Sequence, residues 1–445
     1  MPTCKPQFEM ESNPPLPSLA LLPWGDLIED FLDSINVSFE AFCNEMTGGW
    51  MFGYVEALKR VHVRSVLFCI SNRVSAPERH THQPTGATIC ILPAAKIHAL
   101  PRRWMKNPYG WTLEDTFGSI DRMRRPAFQL LKDVAPYLAT PLGSLARELK
   151  RENCRVILCQ EYEYARFDAC VLLGQRLRLP VFATFQGGDF QLSRLERFFR
   201  PSSMQQCAGL IIATQTEIQR VQSRYQVPAS KVAQIFNPID VMNWRSSNRE
   251  QARATLGIPL DAQVVVCHGR IDIHRKGLDI LMAAWQQICR DLPDRDLRLL
   301  LVGTGNDAEQ LHQLIAAQSL PGILWIDDYV RDRTLMQQYL SAADLYTLAS
   351  RHEGFPVAPI EAMACGLPIV ATRAPGIPDI LGPEEMGGLT VPCEDAPALA
   401  AAIGRVLDDQ TLRDRLSQQA RQRAEQCFSL EAIGQQLQHF LWKES

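Results

Sequence analysis

No stretch of this chain approaches the roughly 20 consecutive apolar residues that cross a bilayer, so no membrane-spanning helix is expected. Charge of one sign is missing too. Lys and Arg number 46 against 49 Asp and Glu, a net charge of −3, which gives no support to a nucleic-acid partner. The 13 cysteines show no paired spacing; Cys69, Cys90, Cys159, Cys267 and Cys365 each sit alone in an apolar stretch. That reads as reduced thiols in a cytoplasmic protein and not as a disulfide frame or a zinc site. Residues 1–13 lack the basic start and apolar core of a secretory signal. Also lacking is a G-x-G-x-x-G turn with an acid about 20 residues beyond, which argues against a bound dinucleotide. Asp294-Arg295-Asp296 spells D-x-D but lies in a polar stretch between a helix and a strand, so no metal is assigned to it.

What is present is a series of short apolar runs separated by helical segments, over 445 residues, enough for two domains of ordinary size. The runs Ser65 to Ile70, Thr88 to Leu92, Val156 to Cys159, Val181 to Phe185, Gly209 to Ala213 and Val232 to Phe236 predict strands of a parallel α/β sheet. Six prolines before residue 24 predict an extended arm, followed by a helix from Asp26 to Ile35. A strand over Val37 to Phe42 is expected next, leading into Thr47-Gly48-Gly49-Trp50 and a helix from Tyr54 to Val61. Strand, Gly-Gly turn and helix let a backbone approach an anion.

The most informative stretch runs from Ser350 to Pro368, reading SRHEGFPVAPIEAMACGLP. Gly354 and Pro356 make its start a loop, and Pro359 suits the first turn of a helix that Gly366 stops. Loops at the carboxyl ends of strands are where open α/β sheets bind ligands. Backbone N–H groups from Gly354 through Phe355 and Val357 to Ile360, backed by a helix dipole, suit a phosphate. Glu353 and Glu361 would repel that phosphate, so they read as acceptors for sugar hydroxyls. Either acid alone could be a solvated or helix-favouring residue; the pair around Gly354-Phe355 is specific.

A second motif, Gly269-Arg270-Ile271-Asp272-Ile273-His274-Arg275-Lys276-Gly277, follows the strand Val264 to His268 and precedes the helix Leu278 to Cys289. A diphosphate leaving group gathers negative charge, which fixed cations stabilise. Arg270 and Lys276 stand on one loop and can reach one anion. Gly303 ends another strand, placed to approach a nucleotide, and the loop through Val330 is where a base would stack.

Together these motifs resemble the E-x7-E and G-R…K-G signatures of retaining family-4 glycosyltransferases with the GT-B fold. The resemblance is specific from about residue 264 to 380 and general from 37 to 240. It implies two Rossmann-like domains facing a cleft: an arm and helix over 1–36, an acceptor-side domain over 37–240, a nucleotide-sugar domain over 241–425, and a final segment, 426–445, packing back on the first. It further implies transfer of a hexose from a UDP- or GDP-sugar to a hydroxyl, with no other cofactor and no metal. Arg270 and Lys276 would hold the diphosphate, Glu361 the ribose, and Glu353 the sugar, with Gly48, Gly49 and Gly269 along the donor. Ala374-Pro375-Gly376-Ile377-Pro378-Asp379 resembles the family's glycine-containing turn.

On the acceptor side, Glu161 and Tyr162 follow one strand, and Asp189 follows Thr184-Phe185-Gln186 on the next. The family usually carries a histidine where this chain has Gln186, and an amide cannot become cationic near neutral pH. The acceptor itself is open between glycan, lipid and small metabolite. Residues 102–125 combine Arg102, Arg103, Lys106, Arg122, Arg124 and Arg125 with aromatics, a pattern that suits an anionic acceptor, a peripheral membrane contact or a plain solvated surface. Two rival activities share the same donor groups: a GT-B-fold nucleotide-sugar epimerase and a non-catalytic nucleotide-sugar-binding protein.

Overall fold

The computed structural model describes residues 17–108, 110, 112–187, 193–330 and 332–442. Two sheets carry the chain. The first has the order β3-β4-β2-β1-β5-β6-β7-β8, with β1 Ser18–Leu22, β2 Arg64–Ser71, β3 Glu78–Thr81, β4 Thr88–Pro93, β5 Val156–Gln160, β6 Val181–Thr184, β7 Gly209–Ile211 and β8 Val232–Ala233. All neighbours are parallel except β3, which pairs antiparallel with β4 at the edge. The second sheet is wholly parallel, in the order β11-β10-β9-β12-β13-β14. Its strands are β9 Gln263–His268, β10 Leu297–Val302, β11 Ile323–Ile326, β12 Leu345–Leu348, β13 Ile369–Thr372 and β14 Gly388–Val391.

Each sheet winds outward in both directions from a central pair, β1 and β5 in the first, β9 and β12 in the second. The crevice beyond the carboxyl ends of such a pair is where open α/β sheets place ligands. The loops after β9 and β12 carry both informative motifs, so the topology sets them side by side. Each sheet is sandwiched between two apolar clusters, as parallel sheets require.

Two expectations for the N-terminal region are corrected. Residues 18–22, placed in an extended arm, form the central strand β1, every residue of which is buried. Pro17 and Pro23 flank Ser18 and four apolar residues, long enough for a strand buried on both faces but too short to stand out among prolines. The segment Val37 to Phe42 is not a strand. Ser38 caps a helix, Phe39–Asn44, by accepting a hydrogen bond from the Ala41 N–H. The chain thus inserts two helices, Ile28–Ser34 and Phe39–Asn44, between β1 and the helix Gly49–Arg60 that leads to β2.

The chain crosses between the sheets twice, and the crossings touch. Ile239 donates its N–H to the Phe428 carbonyl at 2.7 Å. Phe236 stacks on Phe355 at 5.2 Å with the rings 7° apart, and both approach Phe428. The last helix, Leu430–Leu441, returns to the first sheet, burying Ile433, Leu437 and Phe440 in the same cluster as Phe52 and Leu58. A Cβ on Gly434 would sit 2.3 Å from the Ala57 carbonyl oxygen, so glycine permits this close helix contact.

Candidate functional site

A cavity of about 670 Å³ opens between the two sheets. From the second sheet it is lined by His268, Gly269, Arg270, Gly303, Val330 and Glu361. From the first it receives Gly48 and, from the inserted helices and the turn after them, Ala41 and Met46. Residues from the loops after β9, β10, β11 and β12 therefore converge on one space with the Gly-Gly turn. Gly303 is required there by geometry. Its φ is +139°, and a Cβ would fall 1.9 Å from the Gly269 carbonyl oxygen, so the two turns can pass only because one has no side chain.

Arg270 stands at the mouth with its side chain 63% exposed and, among the described acids, a single 3.9 Å contact to Asp272. Lys276 lies deeper on the same loop. Its ammonium bonds both oxygens of Glu353, at 2.7 and 3.0 Å, and Ser350 donates its hydroxyl to the same carboxylate at 2.5 Å. Arg270 and Lys276 border a common small void beneath the cavity. Glu361, in the helix Ala358–Ala364, meets the His268 ring nitrogen Nε2 at 2.9 Å. His268 carries no role in the sequence motifs. The signal lay in its place as the last residue of β9, directly before Gly269.

The remaining residues separate into those that face the cavity and those that build its frame. Gly49 begins the helix behind Gly48. Gly354 meets Gly187 of the opposite domain: a Cβ on Gly354 would lie 3.1 Å from the Gly187 Cα, so the loops after β6 and β12 touch across the cleft. Val357 sits just ahead of the helix that carries Glu361. Phe355, expected along the donor, spends its ring on the stack with Phe236. Gln186, expected over the sugar, exchanges hydrogen bonds with Asn237 (3.1 and 3.4 Å) and donates to Thr184 Oγ1 at 3.1 Å, which ties its amide to the crossing segment.

Tyr162, expected toward an acceptor, is fully buried. Its ring packs against Phe167 and Phe185, and its hydroxyl donates to Glu217. Asp189 lies outside the described residues. Asp379, at the end of the glycine-containing turn, accepts hydrogen bonds from the Gln215 N–H and the Gln234 amide, both at 2.9 Å, and so joins the second domain to the first.

Glu161 is the most perturbed acid in this region. It follows β5 at φ +107°, in the region that non-glycine residues rarely occupy, and its carboxylate accepts from the N–H groups of Gln186 (3.0 Å) and Glu163 (3.1 Å). Burial pushes its pKa from 4.5 up to about 7, against the opposing pull of those two bonds. The folded chain therefore holds a proton that the unfolded chain releases above pH 4.5, and stability falls as pH rises toward 7. The slope from this group is at most about 1.4 kcal/mol per pH unit. Urea midpoints at pH 5 and pH 7 are expected to differ less in Glu161→Gln than in the wild type; an equal difference would remove Glu161 from the account.

The family described as "Glycosyl transferases group 1" matches residues 262–409, and "Glycosyltransferase Family 4" matches residues 101–242. The chain belongs to the group 1, family 4 glycosyltransferases. The two matches fall on either side of the cleft, one per sheet. Among curated relatives of this family member, a D-inositol 3-phosphate glycosyltransferase of Saccharomonospora viridis is 31% identical over 250 residues, 55% of this chain and 57% of that protein. A lipopolysaccharide core biosynthesis glycosyltransferase, LpsD, of Rhizobium meliloti is 37% identical over 185 residues, 41% of this chain and 50% of its own. The chain thus spans about half the length of the curated relatives it matches. In solved structures the fold recurs over the whole chain: Anabaena Alr3699/HepE, determined in complex with UDP and glucose, superposes with a TM-score of 0.62 at 16% identity, covering 96% of this chain and 99% of that one. The architecture is GT-B.

Proposed function

We propose that this chain is a retaining hexosyltransferase that moves a sugar from a UDP- or GDP-sugar to a hydroxyl acceptor. The observation that carries this reading is the convergence of Gly48, Gly269, Arg270, Gly303, Val330 and Glu361 on one cavity between two domains. Arg270 and Glu361 line the same cavity, a cation for a diphosphate and a carboxylate for ribose hydroxyls. Between the two bases, UDP is favoured by the structural likeness to Alr3699/HepE, which was solved with UDP bound.

In this reading Arg270 swings its exposed guanidinium onto the diphosphate, and Lys276 adds a second charge from below. Their charges hold the leaving group as the glycosidic bond lengthens. Glu361, steadied by His268, accepts from the ribose hydroxyls. Glu353 is held by Lys276 and Ser350 at the sugar end and orients the hexose. A retaining glycosidase needs a second carboxylate about 5 Å from the first to act as nucleophile. The resemblance to retaining family-4 enzymes implies instead that the acceptor attacks from the leaving-group side, its proton passing to the departing phosphate. The contacts Gly187–Gly354 and Asp379–Gln215 describe a closed pair of domains, a state that keeps water from the activated sugar.

A screen of UDP-, GDP- and ADP-sugars for nucleotide release, with and without lipid and polar cell extracts, tests the proposal. Release that depends on an extract is the expected result. Conversion of the sugar without any acceptor would mark an epimerase, and tight nucleotide binding with no release from any donor would mark a binding protein.

A further inference from the structure

Twelve large hydrophobic side chains are exposed among the described residues, and seven of them belong to three neighbouring segments of the first domain. Ile97, Leu100 and Trp104 project from the 3-10 turn and short helix after β4, with Leu100 63% and Trp104 56% exposed. Met123 and Leu130 come from the turn before the helix Arg125–Ala139 and from that helix. Phe198 and Phe199 come from the helix Arg194–Gln206. These three segments are packed together. The central helix contacts the other two, Trp104 meets the edge of Phe128 at 6.1 Å, and Phe199 lies 5.7 Å from Tyr137. Single exposed hydrophobics are ordinary on any protein; a group of seven marks an interaction surface.

The charge around this group selects the partner. Residues 96–133 hold eight Lys and Arg against four Asp and Glu, inside a chain whose net charge is −3. Two of those acids are already engaged: Glu114 pairs with Arg125 at 2.6 Å, and Asp133 is buried, accepting from Gln129 at 2.8 Å. Lys96, Arg103, Arg122 and Arg124 are exposed and make no ion pair with the described acids. A second copy of this chain would press like charges together across a two-fold contact. A surface that takes up tryptophan, phenylalanine and leucine while attracting cations is an anionic lipid headgroup layer.

We propose that this face docks on an anionic bilayer. Both outer segments follow the carboxyl ends of parallel strands, β4 and β6, so the face lies on the cleft side of its sheet. Docking holds the first domain's half of the cleft against the lipid surface, where a membrane-borne hydroxyl can enter. That last step rests on the transferase reading, whereas the docking itself does not.

The test uses the full chain and sedimentation with vesicles of phosphatidylcholine alone, or with phosphatidylglycerol making up about a third. Binding to the mixed vesicles, weakened by added salt, is expected. Each cation at such a surface multiplies partitioning about fivefold, so the triple variant Arg103→Glu/Arg122→Glu/Arg124→Glu is expected to bind at least about a hundredfold more weakly. The variant Leu100→Ser/Trp104→Ser/Phe198→Ser is expected to lose binding while its thermal unfolding stays that of the wild type. None of these residues borders the cavity, so vesicle binding succeeds or fails independently of nucleotide release. No binding to the mixed vesicles at low salt overturns the proposal, as does equal binding to both vesicles. Concentration-dependent self-association abolished by the serine variant would overturn it too, by making the face a contact between copies.

Discussion

Arg270→Ala is expected to lower kcat/KM at least about thirtyfold, a loss of roughly 2 kcal/mol of transition-state stabilisation, while leaving the unfolding temperature unchanged. The separation follows from exposure. The side chain is 63% exposed and its one ion-pair contact among the described residues is at 3.9 Å, so the folded chain gains little from it. Lys276→Ala is expected to lose as much activity but also stability, because Glu353, with a side chain only 6% exposed, keeps Ser350 but loses its cation. That loss is up to about 3 kcal/mol, at the low end for a buried pair since the ammonium retains some water. Lys276→Met with Glu353→Gln removes both charges and is expected to recover stability without activity. Steady-state kinetics beside thermal melts read the two effects. Wild-type turnover in Arg270→Ala would end the assignment of that cation to the diphosphate.

Arg200→Met is expected to cost more stability than any of these substitutions, about 3–5 kcal/mol. Arg200 is fully buried, bonds Asp168 with two nitrogens at 3.0 and 3.2 Å, and lies 3.4 Å from Glu196 and 3.7 Å from Glu163. Burial opposes its charge, but the surrounding carboxylates outweigh burial and hold the guanidinium protonated. Removing it leaves Asp168, Glu196 and Glu163 buried together with less positive charge near them. Arg220 still engages Glu163 at 2.5 Å, and Tyr137 still donates to Asp168 at 2.7 Å, which keeps the loss from growing further. The three carboxylates must then take up protons or repel one another, so the variant is expected to be least stable at high pH and to recover toward pH 5. Arg200→Lys is expected to restore part of the loss only, because an ammonium cannot reproduce the two-nitrogen fork on Asp168. Urea unfolding of the three proteins at pH 5 and pH 8 measures this. A variant as stable as the wild type at pH 8 would show the network to be incidental.

That network lies beneath the loop after β5, and it explains why the residues expected toward an acceptor were harder to read than those expected along a donor. Glu161 and Tyr162 follow a strand and look available. The direction of a side chain at a strand's end is set by what packs there, and Phe167, Phe185 and Glu217 claim Tyr162 from three other elements. Gln186 is held by Asn237, 51 residues away, and Asp379 reaches Gln215 across 164 residues. Pairings at such separations leave no periodic or spacing signal.

The loops after β9 and β12 were legible because each motif is contiguous. Strand, glycine turn, charged residues and helix follow one another within about a dozen residues, and local sterics alone force that order. The order of residues along the chain was therefore enough for the parallel α/β class and for singling out the loops after β9 and β12, with Arg270, Lys276, Glu353 and Glu361 as their candidate residues. Only the folded chain shows that β1 is the five residues between two prolines, that His268 bonds Glu361, that Lys276 and Glu353 hold each other, and that Tyr162, Gln186 and Phe355 engage Glu217, Asn237 and Phe236. The division has one physical cause. Backbone geometry is fixed by neighbours in the chain, whereas the partner a side chain finds is fixed by packing and charge between segments that only the fold brings together.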